Sequence, residues 1–213
     1  MRKGFGMALL EAARADEKIV GLSADLVEST QMHLFAEEFP ERFFEVGIAE
    51  QNLASIASGM AAMGKTPFIS SYAMFSPGRN WEQIRTTICY NDQPVKIIGS
   101  HAGCVTGPDG GTHQAFEDIA ITRVIPNLVV INPCDFFEAY RATIAISKTK
   151  EPTYMRLSRH DSPIVTTGDT YFEIGKGYVV FDNTDGVEID ELIFGTGHVL
   201  YQALVAGKKL ADE

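Results

Sequence analysis

The sequence predicts an α/β fold: a doubly wound, mostly parallel sheet followed by the start of a second α/β domain. Short apolar runs of strand length alternate with segments of helical periodicity, and parallel strands require such long crossover connections. The 213 residues suffice for one large α/β domain, or for one domain and part of another. After Asp161 the alternation gives way to turn-rich sequence. That change predicts a linker near 160–168, a first domain over 1–163 and a second over 164–213, a piece that is short for an independent domain.

Taken in order, residues 5–15 place Phe5, Leu9, Ala12 and Ala13 on one helical face. IVGLSA (19–24) reads as a strand ending in the polar loop DLVEST, and RFFEVG (42–47) as a second strand. Between Ala49 and Met63 the apolar positions Leu53, Ile56, Met60 and Met63 recur at helical spacing, and Gly64 closes that helix. TPFISSY (66–72) is a third strand, NWEQIRTTICY (80–90) a helix, and PVKIIGS (94–100) a fourth strand leading into a glycine-rich loop at 102–112. A helix near 114–122 precedes a fifth strand, NLVVINP (127–133); DFFEAYRATIAIS (135–147) is helical, and TYMRLS (153–158) is the sixth strand. Near the end, LIFGTG runs as a strand into the helix of HVLYQALVAGKKLADE.

Composition narrows the function classes. Lys plus Arg is 18 and Asp plus Glu is 28, a formal net charge of −10 without a basic cluster, which argues against nucleic-acid binding. No apolar run approaches the ~20 residues of a membrane span. Glu11 interrupts the apolar stretch of MRKGFGMALLEAARA, so an amphipathic helix is read there and not a signal peptide. Cys89, Cys104 and Cys134 are odd in number, widely spaced and lack CxxC geometry. They predict a reducing, cytoplasmic setting with neither a disulfide framework nor a zinc knuckle.

In open α/β sheets ligands bind at the carboxyl ends of the strands. On the predicted strands Ser29, Glu50, Tyr72, Phe75, His101, Asp109, His113 and Arg159 all fall at that edge. Each has a structural alternative. Glu50 suits the first turn of a helix as a partner for its dipole, Tyr72 and Phe75 suit a core or rim, and Arg159 suits a surface pair with Asp161 or Glu151. His101, Asp109 and His113 lack metal-ligand helix spacing, so no metal site is assigned. The loop GCVTGPDGGTH holds five glycines or prolines between two histidines, a composition that lets backbone approach a ligand closely. It matches neither GxGxxG, Walker A nor GxSxG.

RFFEVGIAEQNLASIASGMAAMGKTPFISSYAMF, GSHAGCVTGPDGGTHQAFEDIA, NLVVINPCD and MRLSR together resemble the pyrimidine-binding half of transketolase, and most nearly the small C-terminal subunit of split, two-chain transketolases. The likeness runs through residues 1–165 in continuous order. IAEQ is shared with deoxyxylulose-phosphate synthase, whereas GPDGGTHQ with Gln114, and LSR at 157–159, lean toward transketolase.

The resemblance implies thiamine-diphosphate chemistry: transfer of a two-carbon ketol unit between ketose and aldose phosphates in the pentose phosphate pathway. Glu50 matches the glutamate that hydrogen-bonds a ring nitrogen of the cofactor's aminopyrimidine and promotes loss of the thiazolium proton. A carboxyl buried there is expected to titrate high. Tyr72, often Phe in relatives, and Phe75 match the aromatics that wall the pyrimidine. Arg2, Ser29, His101 and Arg159 match residues that grip the substrate phosphate. Asp109 matches the reader of the C2 hydroxyl, and His113 the histidine that contacts donor hydroxyls during catalysis. The family holds the diphosphate through Mg²⁺ on a GDG…N motif that this sequence lacks. A separate large subunit is therefore implied as the holder of Mg²⁺, in a two-fold dimer of heterodimers, with the second domain cut short relative to relatives. The interface is expected to cover apolar surface around 49–63. Other readings are another thiamine-diphosphate enzyme, such as the synthase, or a non-catalytic sugar-phosphate-binding subunit.

Overall fold

Six parallel strands form one sheet in the computed structural model, which describes residues 1–184, 186 and 188–212. They are β1 (Ile19–Ser23), β2 (Phe43–Glu45), β3 (Thr66–Tyr72), β4 (Lys96–Ser100), β5 (Val129–Ile131) and β6 (Thr153–Arg156). Their order across the sheet is β2-β1-β3-β4-β6-β5, and every pairing is parallel. The order reverses twice, beside β1 and β3 and again beside β4 and β6. The carboxyl edge thus opens two crevices where connections diverge, the places such sheets use for ligands.

Helices cover both faces. On one side α1 (Arg2–Ala15) packs against α6 (Phe136–Ser147) over a core that includes Phe5, Leu9, Phe68, Ile98 and Met155. The predicted α1 face is the buried one: Phe5, Leu9, Ala12 and Ala13 are all inside. Burying Phe5 and Leu9 stabilises by about 1.5–3 kcal/mol each. The two helices approach so closely that a Cβ on Gly4 would sit 2.4 Å from the Phe136 carbonyl oxygen. On the other side α3 (Glu50–Ala62), the turn α4 (Trp81–Gln83) with its π-helical continuation Ile84–Cys89, and α5 (Asp118–Arg123) cover Val20, Leu22, Ile69, Ile97 and Tyr154.

Several elements differ from the sequence-based expectation. The buried face of α3 is Leu53, Ala54, Ala57 and Ala61; Ile56 and Met60 are half-buried and Met63 is exposed. Small residues let the helix lie close on β3, so the largest apolar side chains sit on its flank. The exposed face near 49–63 is consequently polar and small, with Gln51, Asn52, Ser55 and Gly59 between exposed Ile48 and Met63. A short helix, α2 (His33–Glu38), lies in a stretch without helical periodicity and is held by buried Met32 and Phe35. The helix expected from 114 begins at Asp118, because Ala115 is drawn into an antiparallel bridge with Gly103.

Beyond β6 the chain is pinned. Asp135 caps α6 by accepting from the Glu138 N–H at 3.0 Å, and its other oxygen accepts from the N–H groups of Val165 and Thr166. The predicted linker is therefore docked across the N-terminus of α6. LIFGTG forms no strand; among the described residues after 164 there is one long helix, α7 (Leu200–Ala211), and no sheet. A strand needs a neighbour for its N–H and C=O groups, and none is present there. Gly197 joins the segment to β5 by donating to the Asn132 carbonyl at 3.0 Å. Around it an open groove of about 930 Å³ leaves Phe194, Val179 and Leu192 exposed. The three cysteines are free, and among the described residues no helix is long and apolar enough to cross a membrane.

Candidate active site

Parallel pairing brings the carboxyl ends of β1, β3, β4 and β6 into line, with Leu22 opposite Ile69, Tyr72 opposite Ser100, and Gly99 opposite Arg156. The polar residues that follow these strands meet there. Glu50 opens α3 and is 1% exposed. Its Oε1 accepts from the Ser71 hydroxyl at 3.2 Å, its Oε2 from Arg79 Nη1 at 2.9 Å, and its main-chain carbonyl from Asn80 Nδ2 at 3.0 Å. Dipole complementarity is available at this position, but a carboxylate at a helix start needs no burial to gain it. Burial with two side-chain donors fits a group placed for contact.

Phe75 stands half-buried beside this carboxylate, with the Arg79 guanidinium 4.8 Å above its ring. His113 meets the same ring edge-on at 5.2 Å. Tyr72 is buried, and its ring stacks on His101 at 3.8 Å between centroids. Tyr72 and Phe75 are nearly parallel, 12° apart with centroids 6.2 Å apart. Phe75 thus offers the accessible face of the pair, while Tyr72 backs His101.

A second cluster adjoins the first. Arg2 donates through Nε and Nη2 to the Arg159 carbonyl at 3.1 and 2.9 Å, and through Nη1 to the Ser29 carbonyl at 2.5 Å. Its guanidinium ties the loops after β1 and β6 together, and burial with the neighbouring Arg159 charge lowers its affinity for its proton. Arg159 lies against Gly107, where a Cβ would be 2.9 Å from Nη1; with φ at +91° that position is open to glycine on both counts. His101 is buried, has φ of +59°, and shares a 2.8 Å hydrogen bond between Nδ1 and the Ser100 hydroxyl. Burial, reinforced by the charges of Arg2 and Arg159, pulls its pKa down to about 3. The imidazole is neutral at pH 7, a donor or acceptor of hydrogen bonds and not a cation.

Of the predicted residues, Arg2, Ser29, Tyr72, Phe75, His101, His113 and Arg159 converge, and Arg79 links them to Glu50. Asp109 stands apart: it is exposed at the loop tip and makes no side-chain hydrogen bond among the described residues. Among those residues no three His, Cys, Asp or Glu side chains group to hold a metal ion. Sequence reasoning missed Ser71, Arg79, Asn80 and Ser100. Arg79 lies in the turn before α4, where no periodicity applies, and nothing in the spacing links it to Glu50. Also missed was a buried network beneath the glycine-rich loop. Asp118 Oδ2 accepts from Tyr154 OH and Arg156 Nε, both at 2.8 Å, and Tyr154 crosses over Gly99 to reach it.

The arrangement offers a fixed carboxylate beside an aromatic face, next to a pocket edged by a guanidinium and a neutral imidazole. It already accommodates a flat nitrogen-bearing group, since the Arg79 guanidinium both bonds the carboxylate and covers Phe75. An aminopyrimidine ring, with ring nitrogens and two faces, has the same requirements, so the residues present fit the pyrimidine end of thiamine diphosphate.

Comparison with known proteins agrees. The family described as "Transketolase, pyrimidine binding domain" matches residues 1–164. A Methanocaldococcus jannaschii protein described as a transketolase C-terminal section is 45% identical over 214 residues, all of this chain and 66% of the relative. A 6-deoxy-6-sulfo-D-fructose transketolase subunit from Clostridium sp. is 34% identical across all of this chain and 65% of its own length. A solved split-gene transketolase, described as an inactive β4 tetramer, superposes with a TM-score of 0.84 at 40% identity, covering 98% of this chain and 66% of that one. The chain therefore spans about two thirds of the length of these relatives.

Proposed function

Because the chain belongs to the transketolase family, through its pyrimidine-binding domain, we propose that it is the small subunit of a split, cytoplasmic transketolase. It completes an active site with a large subunit that holds Mg²⁺ and the diphosphate, in a dimer of heterodimers. The observation that carries the proposal is Glu50, buried at the carboxyl edge and joined to the ring of Phe75 by the Arg79 guanidinium that bonds one and covers the other.

Thiamine diphosphate, when bound, supplies the carbon centre that accepts and releases the two-carbon ketol unit. The chain's own residues bind, orient and move protons. Glu50 holds a proton at a carboxylate oxygen against a ring nitrogen of the aminopyrimidine; Ser71 keeps that carboxylate in place and Asn80 fixes the Glu50 main chain. Phe75 supplies the stacking face and excludes water from it. Tyr72 supports the ring of His101. His113, at the edge of Phe75, is the proposed partner of substrate hydroxyls, and Asp109, exposed at the loop tip, the proposed reader of the C2 hydroxyl. Arg159 supplies the charge for a terminal anion and neutral His101 a hydrogen bond. Arg2 and Ser29 shape that end of the pocket through the Arg159 and Ser29 carbonyls.

The substrates proposed are the phosphosugars of the pentose phosphate pathway. A relative that acts on a sulfosugar makes the terminal anion the point to test, so the reconstituted pair should be offered phosphate- and sulfonate-terminated ketoses in parallel. Glu50→Gln tests the site itself. The variant should fold normally yet slow exchange of the cofactor's thiazolium proton, followed by NMR in the assembled enzyme, by orders of magnitude, as expected for loss of an essential proton relay. Near-normal exchange would return Glu50 to a helix-dipole role.

A further inference from the structure

Glu50 and Arg79 are unequal partners. The Glu50 side chain is 1% exposed; its carboxylate also accepts from Ser71, and Asn80 holds its main-chain carbonyl. The Arg79 side chain is 49% exposed and reaches in from the turn before α4. Arg79 makes the two contacts that define the pyrimidine subsite, an N–H to a Glu50 oxygen at 2.9 Å and a planar face over Phe75 at 4.8 Å. Two planar groups cannot occupy that face and that oxygen together.

Resting on the reading of this pocket as the pyrimidine subsite, we propose that Arg79 is a built-in stand-in for the aminopyrimidine, which closes the subsite in the free chain and is displaced when the ring binds.

The physical reason for such a device lies in the burial of Glu50. Among the described residues Arg79 is the one cation at ion-pair distance from Glu50. Without it the empty site would hold an uncompensated buried charge, which proteins avoid by pairing or neutralising the group. Arg79 balances the carboxylate while the site is empty. The Glu50 oxygen that accepts from Arg79 is also occupied, and so is not open to a ring nitrogen. Displacement of Arg79 thus both opens the Phe75 face and frees that oxygen. Arg79 can leave without opening the hydrophobic core, since its side chain is 49% exposed and is no part of that core.

The test uses the full chain and the uncharged hydroxymethyl aminopyrimidine fragment of thiamine, which lacks the cationic thiazolium and so does not respond to a mere change in local charge. Arg79→Met keeps the length of the side chain and removes the competing donor. If the resting pocket is open less than a tenth of the time, this variant should bind the fragment at least tenfold more tightly than the wild type. In the wild-type chain the Arg79 side-chain N–H resonance should be protected from solvent exchange and should lose that protection as the fragment saturates. Equal or weaker binding by Arg79→Met would make Arg79 a part of the ring's binding surface and overturn the proposal, as would protection that persists at saturation. If neither chain binds the fragment while the two-subunit assembly binds thiamine diphosphate, the stand-in is wrong and the functional reading stands. If the assembly itself fails to bind thiamine diphosphate, the functional reading fails.

Discussion

At His101, burial and two neighbouring guanidinium groups act in the same direction. The ordinary value of 6.5 applies to the unfolded chain and about 3 to the folded one, so between these values the unfolded state binds more protons. Stability from the neutral ring is complete above pH 6.5 and is lost as pH falls toward 3, by up to about 4–5 kcal/mol. In urea titrations at a series of pH values, His101→Gln should therefore lose less stability than the wild type over that window. Parallel losses would mean that the ring is protonated as readily inside as outside. With His101 neutral and Arg2 committed to two carbonyls, Arg159 is the principal charge that the proposed site would offer a terminal anion. Arg159→Ala retains the carbonyl that Arg2 binds and should spare the fold. It should raise KM for phosphorylated sugars by an amount corresponding to about 1.5–3 kcal/mol, the loss expected for one charge-assisted contact, with little change for unphosphorylated acceptors. Equal effects on both would assign Arg159 to structure.

The glycine-rich loop is anchored at its base and from within, where the buried Thr106 hydroxyl faces the His101, Gly103 and His113 carbonyls. Its base is the bridge in which the Gly103 N–H donates to the Ala115 carbonyl at 2.7 Å. Beneath it Asp118, in the first turn of α5, pairs with Arg156 at the end of β6, with side-chain exposures of 1% and 13%. Removing one member of a buried pair strands the other charge, at about 3–5 kcal/mol. Asp118→Ala should lower unfolding stability by that order and should speed proteolytic cleavage within 103–115. Cleavage at the wild-type rate would show that the loop is held without the Asp118–Arg156 pair.

For the molecule as a whole, division of labour follows from where the charges lie. In the proposed site Glu50 and Phe75 would address the pyrimidine end of the cofactor, while the diphosphate carries most of its charge. Without a metal-holding partner that charge would face a chain of net charge −10. The isolated chain should show no micromolar binding of thiamine diphosphate with Mg²⁺ in calorimetry, and no ketol transfer, until the large subunit is added. Tight binding by the chain alone would refute the split enzyme. The surface of α3 that the partner would meet is small and polar, with apolar Ile48 and Met63 at its ends. Close approach of backbones, more than burial of large side chains, would drive association there.

The alternation of short apolar runs with helical segments sufficed for the α/β class and for every strand of the sheet, because strand and helix periods are local properties of the chain. The same strands sufficed to assign Glu50, Tyr72, Phe75, His101 and Arg159 to one edge, since a parallel sheet aligns all its carboxyl ends. Partnership was not legible there. The pairing of Arg79 with Glu50 spans 29 positions and that of Arg2 with the Arg159 carbonyl 157. No periodicity connects residues so far apart, and only the crossing of connections over the sheet sets them within bonding distance. The spacing that revealed α3 as a helix did not reveal its buried face, for a related reason: packing distance favoured alanines over the larger residues that dominate a hydrophobic pattern. LIFGTG has strand composition but no neighbouring strand. Tertiary structure settles such cases, because a hydrogen-bond ladder and a buried charge pair each require a second partner, and that partner lies elsewhere in the chain.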